Sequence, residues 1–529
     1  MSSRKPHAVL VPFPVQGHIN PMLCLAHNLS SHGFIVTFVT TDFNHSRTVN
    51  GYSSFINADK GNGTIHFRAI PDGLPEDDRR TDFARLARVT ETAMPTSLRR
   101  LIQEINDDEA HKATCMVADF FASWAVDVAN HFKLQTAAFW PGLIAVYAII
   151  YGMPDLISRG IIPPNGIPNK HELVKYVPGM PSLSSANLPW LIGSRADREF
   201  RFQFWLRSIS RFRQLRWVLC NSFNALEHSI ITTFPKEAGI CPVGPFLPQQ
   251  KKKKEKMDKD GCLQWLDKQA LGSVIYVSFG SSIVLKEKQV EEVALALEKS
   301  GRPFLWVVRG IERFLSAEYL ERNGERKYIL SWAPQMSVLL HRSVGCFVTH
   351  CGWNSTMESI TAGVPMICWP CVADQFLNCA YIVDIWKIGL ALSANDEGIV
   401  EKVEIEECLR RIMATEEGTE IRRRAHKLKE CAVNATAGSS SINFTRKQPA
   451  FPLGFLKRAI IAEAEEIKST VWRIITGEEC AEMKEKVVKL KGSAMAAVRA
   501  GGSPYKTFNK FLDDTHINTA SEGLGSPCS

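Results

Sequence analysis

The densest chemistry in the sequence lies between Trp332 and Gln375, which reads WAPQMSVLLHRSVGCFVTHCGWNSTMESITAGVPMICWPCVADQ. CFVTH (Cys346 to His350) is a short apolar run closed by a polar residue, the pattern of a buried parallel strand that delivers a side chain at its carboxyl end. Gly352 permits a tight turn, and Asn354 to Ala362 has helical character, with Asn354 or Ser355 as the N-cap and Glu358 in the first turns. GVPMICWP (Gly363 to Pro370) is the next strand. A strand, a glycine turn and a helix N-terminus together make an anion site, because unpaired backbone N–H groups and the positive end of the helix dipole face one point. Phosphate is the expected guest. A second reactive group stands near the start of the chain, where His18 follows an apolar strand in PVQGHINP and can take a proton near neutral pH. Asp119, at the end of CMVAD, is placed either to cap the next helix or to serve a base.

Such groups need a scaffold that gathers strand ends, and the chain alternates strands with helices. His7 to Phe13 reads as a buried strand, Gly17 as a turn, Asn20 to His32 as a helix and Phe34 to Thr40 as a second strand. Ile65 to Ile70, Cys115 to Ala118, Thr136 to Trp140 and Trp217 to Phe223 are further strands, and Phe83 to Ile105 is a helix interrupted near Pro95. From Pro141 to Arg216 periodicity is lost and Pro, Gly, Trp and Phe gather. The pattern restarts with a strand at Leu271 to Phe279, a GSS turn at Gly280 to Ser282, a helix at Val290 to Lys299 and a strand at Phe304 to Arg309. Beyond Gln375 come a helix from about Asn378, a short segment at Ile388 to Leu392, and one Lys/Arg/Glu-rich helix near Val403 to Cys431. This is the pattern of doubly wound parallel sheets, which bind ligands outside the carboxyl ends of their strands. The predicted organisation is a first α/β domain over 1–248, a charged linker over 249–262, a second α/β domain with terminal helices over 263–448, and an extra tail over 449–529.

The 332–375 stretch closely resembles the signature box of plant secondary-product glycosyltransferases, enzymes that move a sugar from a UDP-sugar to a small acceptor. The match covers Trp332, Gln335, His350, Gly352, Trp353, Asn354, Ser355, Glu358, Gly363, Pro365, Asp374 and Gln375. The resemblance implies the GT-B fold, two Rossmann-like doubly wound domains facing across a cleft. It implies that Trp332, with Ala333 beside it, stacks on the uracil, and that Gln335 and Glu358 hold the ribose hydroxyls. His350, Asn354, Ser355 and Ser281 would hold the diphosphate, Trp353 would offer its backbone near the sugar, and Asp374 with Gln375 would bind sugar hydroxyls. The residue types agree, since an aromatic face suits a base, a carboxylate a diol, and neutral donors at a helix end a diphosphate. His18 would be the catalytic base of an inverting transfer, oriented by Asp119, and 141–216 would line the acceptor pocket. Within the family a glutamine at the last box position accompanies glucosyl transfer, so UDP-glucose is the implied donor. Phenolic or terpenoid hydroxyls are the leading acceptors, with carboxylates giving sugar esters as the alternative.

Rival chemistries are weaker. The only acidic pair of the metal-dependent DxD type, Asp258-Lys259-Asp260, lies in a Lys-rich stretch and not at a strand end, so neither metal nor other cofactor is expected. Cys368-Trp369-Pro370-Cys371 is a C-x-x-C, but redox use needs its first cysteine at a helix N-terminus and here it ends a strand. Zinc held by His341, Cys346, His350 and Cys351 is disfavoured because neighbours on a strand point apart. A UDP-sugar-binding protein without turnover is the non-enzyme alternative, opposed by the presence of both His18 and Asp119.

The chain has 529 residues, more than one ordinary core accommodates, and its 45% apolar and 22% charged content is that of a globular protein. The net charge of +8 includes the clump Lys251 to Lys254, without the aromatic interleaving or module that would mark a nucleic-acid binder. The start, MSSRKPHAVLVPFPVQGH, is interrupted by Pro12 and Pro14 and reads as a strand and loop, not a signal peptide. No apolar run reaches the length of a membrane span, and 14 scattered cysteines suit reduced thiols, so a cytoplasmic monomer is expected. Finally, 411–444 is echoed by 473–508: Arg411 aligns with Arg473, Glu416-Glu417 with Glu478-Glu479, and Lys427-Leu428-Lys429 with Lys489-Leu490-Lys491. This is one helical ending written twice, too few copies for a solenoid.

Overall fold

The computed structural model describes residues 5–56, 64–246, 261–280, 283, 285–308, 314–316, 319 and 324–440. The second copy of the terminal repeat, the Lys251–Lys254 clump, the Asp258–Asp260 pair and Ser281 lie outside these residues. Strands β1 (His7–Val11), β2 (Ile35–Thr41), β3 (Thr64–Ile70), β4 (Cys115–Asp119) and β5 (Gln135–Trp140) form the first sheet with β8 (Val218–Cys220) and β9 (Ile240–Pro242), while β6 (Leu173–Val174) and β7 (Leu183–Ser184) make a small antiparallel pair. The first sheet runs β3-β2-β1-β4-β5-β8-β9, and every pairing in it is parallel. The second contains β10 (Val274–Ser278), β11 (Phe304–Val307), β12 (Lys327–Leu330), β13 (Val344–Thr349), β14 (Met366–Cys368) and β15 (Gly389–Ala391) in the order β12-β11-β10-β13-β14-β15, again wholly parallel.

Both sheets therefore share one winding: outward from the first strand in one direction, then back across it in the other. The reversal falls between β1 and β4 in the first sheet and between β10 and β13 in the second. Loops leaving two such neighbours diverge to opposite faces and open a crevice at the strand ends, the ligand position of this architecture. β1, β4, β10 and β13 are buried along their whole length, which explains their continuous Val, Ile, Ala and Cys runs.

The two halves are joined by indoles. The Trp353 Nε1–H donates to the backbone oxygen of Asn221 at 2.8 Å, and the Trp386 Nε1–H to that of Leu226 at 3.1 Å. Each ring is buried and its one polar atom is satisfied in the opposite half, so the contact joins apolar burial to a fixed register. The last described helix, Glu416–Ser440, packs along Trp353–Ala362 and reaches Asn224–Ile231 in the first half.

Several local expectations are corrected. The helix after β1 spans Gln16–Ser31, so Gly17 sits inside its first turn rather than making a turn before it. The helix expected to break at Pro95 is continuous from Phe83–Asp107, because Met94, Leu98, Leu101 and Ile102 bury one face and outweigh the ~3 kcal/mol cost of an internal proline. The aperiodic segment 141–216 contains helices Ile144–Tyr151, Met153–Ser158 and Arg195–Phe212. The first of these is buried all round, which erases any amphipathic period. The single helix expected over 403–431 is two, Lys402–Ala414 and Glu416–Ser440, broken at Thr415, whose extended φ of −120° and ψ of 168° end the first.

Candidate active site

His18 and Asp119 emerge from the two strands that flank the reversal of the first sheet, with Val11 of β1 in register with Ala118 of β4. The His18 Nδ1 lies 3.0 Å from Asp119 Oδ1 and 2.8 Å from Oδ2. The carboxylate is fully buried and the imidazole side chain is 17% exposed. An acceptor-only carboxylate fixes the proton on Nδ1 and leaves the Nε2 lone pair for an incoming proton. Asp119 also accepts from the Phe121 N–H at 2.9 Å, capping the 3-10 turn Phe120–Ala122, so both functions open to an aspartate here are made at once. Around the histidine stand Phe13 and Phe121, at ring distances of 5.8 and 5.0 Å, and behind them Phe83, 5.3 and 5.0 Å from those two rings. Phe204 and Trp205, on the helix Arg195–Phe212, extend this wall.

In the second half, Gly280 follows β10 and His350 follows β13, again at the reversal. The His350 ring is pressed between two glycines: a Cβ on Gly280 would fall 2.8 Å from His350 Cε1, and one on Gly352 would fall 2.4 Å from Nε2. The left-handed residue of this turn is Cys351, with φ +64°, while Gly352 has an ordinary φ of −61°. Gly352 is thus required for close approach and not for its own dihedral, contrary to the expectation of a glycine turn. Burial pushes the His350 imidazole down to about 4, so it is neutral at physiological pH. Its Nδ1 is buried without a protein partner.

Gly352 is also the N-cap of the helix Trp353–Ala362, with no side-chain cap, so neither Asn354 nor Ser355 fills that position. The first-turn N–H groups are left without a side-chain acceptor, a helix end able to hold an anion. Asn354 Nδ2 instead donates to the backbone oxygen of Gly17 at 3.1 Å, next to His18. Ser355 and Glu358 are tied by Gln335, whose Nε2 lies 2.8 Å from Ser355 Oγ and 2.6 Å from Glu358 Oε2. The Tyr276 hydroxyl donates to Gln335 Oε1 at 3.1 Å and completes the network. Burial raises the Glu358 carboxyl to about 7, against the lowering effect of the Gln335 hydrogen bond. Ala333 is buried, whereas Trp332 leaves 49% of its surface exposed.

Asp374 accepts from Asn378 Nδ2 at 2.8 Å, and its carboxyl is raised by burial while the Asn378 hydrogen bond opposes the shift. Gln375 uses its side-chain oxygen to accept from the Cys371 and Val372 N–H groups at 2.9 and 3.0 Å, which leaves its amide NH2 for a ligand. An imidazole paired with a buried carboxylate in one half thus confronts, in the other, an open helix end, a neutral buried histidine and a carboxylate–amide pair.

Residues 247–419 match the family described as UDP-glucoronosyl and UDP-glucosyl transferase, and 7–135 match the glycosyltransferase N-terminal domain. UDP-glycosyltransferase 82A1 of Arabidopsis thaliana is 38% identical over 84% of this chain and 98% of its own. The chain belongs to the plant UDP-glycosyltransferase family. The 7-deoxyloganetin glucosyltransferase of Catharanthus roseus is 34% identical over 84% of this chain and 96% of its own. Among solved structures, a UDP-glucosyltransferase from Polygonum tinctorium aligns with a TM-score of 0.73 at 27% identity, covering 88% of this chain and 99% of that one. Phytolacca americana UGT2 aligns with a TM-score of 0.68 at 27% identity, covering 83% and 97%. The architecture of this glycosyltransferase is accordingly GT-B, and it transfers a sugar from a UDP-sugar. Among its described residues no helix is long and apolar enough to cross a membrane.

Sequence reasoning missed two members of the site. Tyr276 sits mid-strand in an apolar run and reads as core, yet its hydroxyl positions Gln335. Asn378 looked only like the start of a helix, but its Nδ2 bridges the Cys351 carbonyl at 2.9 Å and Asp374. The spacing of Asp374 and Asn378, four apart on one helix face, was the available signal.

Proposed function

We propose that this UDP-glycosyltransferase moves glucose from UDP-glucose to a hydroxyl of a small, largely apolar acceptor, with inversion at the anomeric carbon and without a divalent metal. The observation that carries this reading is the His18–Asp119 contact at 2.8 Å, placed beside the helix end through the Asn354–Gly17 bond. The acceptor O–H gives its proton to His18 Nε2 while its oxygen attacks the anomeric carbon. The bond from that carbon to the UDP oxygen breaks, and the electron pair leaves on the diphosphate. Asp119 holds the imidazolium that forms, the logic of a hydrolase triad. The departing charge is met by the first-turn N–H groups of Trp353–Ala362, by His350, and by Asn354 and Ser355. Trp332 takes the uracil, Gln335 and Glu358 the ribose, and Asp374 with the Gln375 amide the hexose hydroxyls.

The phenylalanines around His18 support an apolar acceptor. So do solved relatives: Phytolacca americana UGT2 was captured with UDP-2fluoro-glucose and pterostilbene, and Os79 of O. sativa with a trichothecene. UDP release from UDP-glucose and other UDP-sugars across a panel of phenols, terpenoid alcohols and carboxylates, with chelator present, tests the reading beside His18→Ala. Glucosylation of a hydroxyl acceptor that survives chelation and is lost in the variant is expected. Strict dependence on added divalent ion, preference for another sugar, or full transfer by His18→Ala would each reject its part.

A further inference from the structure

Three thiols meet directly behind the donor site. Cys351 lies in the turn before Trp353–Ala362, Cys368 ends β14, and Cys379 lies on Gln375–Ala380, yet their Sγ atoms all fall within 4.8 Å of one another. Each is a free thiol, Cys351 and Cys368 wholly buried and Cys379 with 7% of its surface exposed. Hydrogen bonds from Cys351 and Cys368 favour a thiolate at Cys379, while burial holds the other two thiols well above their ordinary range. We propose that this cluster binds a trivalent thiophilic metalloid, represented by arsenite, and that its occupation disables the donor site.

The choice of guest follows from ligand number and charge. The group supplies three sulfurs and, among the described residues, no fourth ligand, whereas structural zinc takes four. A monovalent soft ion on three thiolates would leave two negative charges in an apolar interior, and a divalent ion would leave one, each costly without a cationic partner. A trivalent centre leaves none. The step balances without redox change: As(OH)3 and three thiols give As(SR)3 and three waters, with three As–O and three S–H bonds exchanged for three As–S and three O–H bonds. Cys379, the least deeply buried of the three, is the point of entry.

Closing three sulfurs on one atom draws the turn behind His350 towards the helix that carries Asp374. Asn378, next to Cys379, already links the Cys351 carbonyl to the Asp374 carboxylate, so the strain reaches both diphosphate and sugar positions. This second half rests on the donor-site assignment above; binding itself does not.

The reduced full-length protein, titrated anaerobically with arsenite, is expected to retain one arsenic per chain by native mass spectrometry, as a gain of one arsenic less three hydrogens. Cys368→Ser and Cys379→Ser should lose that mass, and Cys431→Ser, on the last described helix, should keep it. Loading should slow sugar transfer roughly 100-fold in the unaltered protein, since displacements of about 1 Å in a reacting geometry cost that much. Transfer by Cys379→Ser should resist arsenite. Should the cluster variants fail to fold, peptide mapping after maleimide treatment reads the unaltered chain, where arsenite must shield Cys379. No retained arsenic, equal loading of Cys379→Ser, or an unshielded Cys379 overturns the site. Arsenic bound with transfer undiminished overturns the disabling role alone.

Discussion

Asn354 reaches across from the helix Trp353–Ala362 to the backbone oxygen of Gly17, 3.1 Å away, and so sets the end of that helix against the residue that precedes His18. The side chain has a second N–H on the same nitrogen, enough to serve a phosphate oxygen without releasing Gly17. Asn354→Asp removes both donors and places a carboxylate against the carbonyl and the diphosphate. We expect kcat/KM to fall about 100-fold or more, the typical loss of a donor that meets transition-state charge, with KM for UDP-glucose raised. Steady-state kinetics with varied donor decide it; an unchanged donor KM would remove Asn354 from the diphosphate site.

The pairing of His18 with Asp119 separates orientation from structure. Asp119→Asn keeps an oxygen to accept from the Phe121 N–H, so the cap survives, but it no longer favours a proton on His18 Nδ1. Turnover should drop by about 10² to 10⁴, the range of general-base contributions, while UDP affinity stays level. Calorimetry with UDP alongside the rate assay separates the two; a parallel loss of UDP binding would point to misfolding or to a different role.

The sheets were readable because a buried parallel strand is written as a continuous apolar run, as in HAVLV and VIYVS, and because glycine and a polar residue punctuate its end. His350, Asn354 and Glu358 could be placed together for the same reason: one strand, one turn and one helix fix their relation locally. What crosses between elements could not be read. Cys351 takes the left-handed position although a glycine follows it, because the His350 ring needs the space beside Gly352. The family resemblance uses Trp353 through its backbone alone, whereas its indole bridges to Asn221, 132 residues away. The helix Ile144–Tyr151 was hidden because full burial leaves no polar face to mark a period.

Donor binding should depend on pH through Glu358. Burial holds its carboxyl up to about 7, and a protonated carboxyl cannot accept from both ribose hydroxyls. With Glu358 on the ribose as proposed, the proton must leave before the diol is held, so affinity for the proposed donor UDP-glucose, whose own diphosphate does not titrate here, should rise with pH. From about pH 6 to about pH 8 the ionised fraction changes nearly tenfold, and the Kd should fall by a similar factor. Glu358→Gln should bind more weakly and show a flat profile; a Kd that is independent of pH in the unaltered protein would count against the assignment.

Stability should move the other way. Glu227, wholly buried between the Ala145 N–H and the Ser222 hydroxyl, is raised by burial to about 8. An acid raised on folding binds its proton more tightly in the native state, so its stabilising contribution is complete below the unfolded pKa near 4.5 and is lost as pH climbs through about 8. The loss is at most about 5 kcal/mol. Glu227→Gln, whose amide can still accept from Ala145 and donate to Ser222 Oγ, should flatten the decline of Tm between about pH 5 and about pH 8. Identical pH profiles for the two proteins would show that the carboxyl is charged throughout.

The closest steric dependence in the site is that of the His350 ring on Gly352. A methyl at that position would lie 2.4 Å from Nε2, inside any permitted contact, and the ring's retreat is limited by the Gly280 backbone, so near that a Cβ there would fall 2.8 Å from Cε1. Gly352→Ala has no backbone penalty of its own, since φ is −61°. Its whole effect should therefore fall on the ring and the helix end it serves. We expect Tm to drop by a few degrees, in proportion to ~1–3 kcal/mol of overpacking, and UDP affinity to fall further than stability does. The double variant Gly352→Ala with His350→Ala relieves the clash, and should recover the Tm while leaving UDP binding weak. Recovery of binding as well would mean that the imidazole contributes nothing to holding the diphosphate.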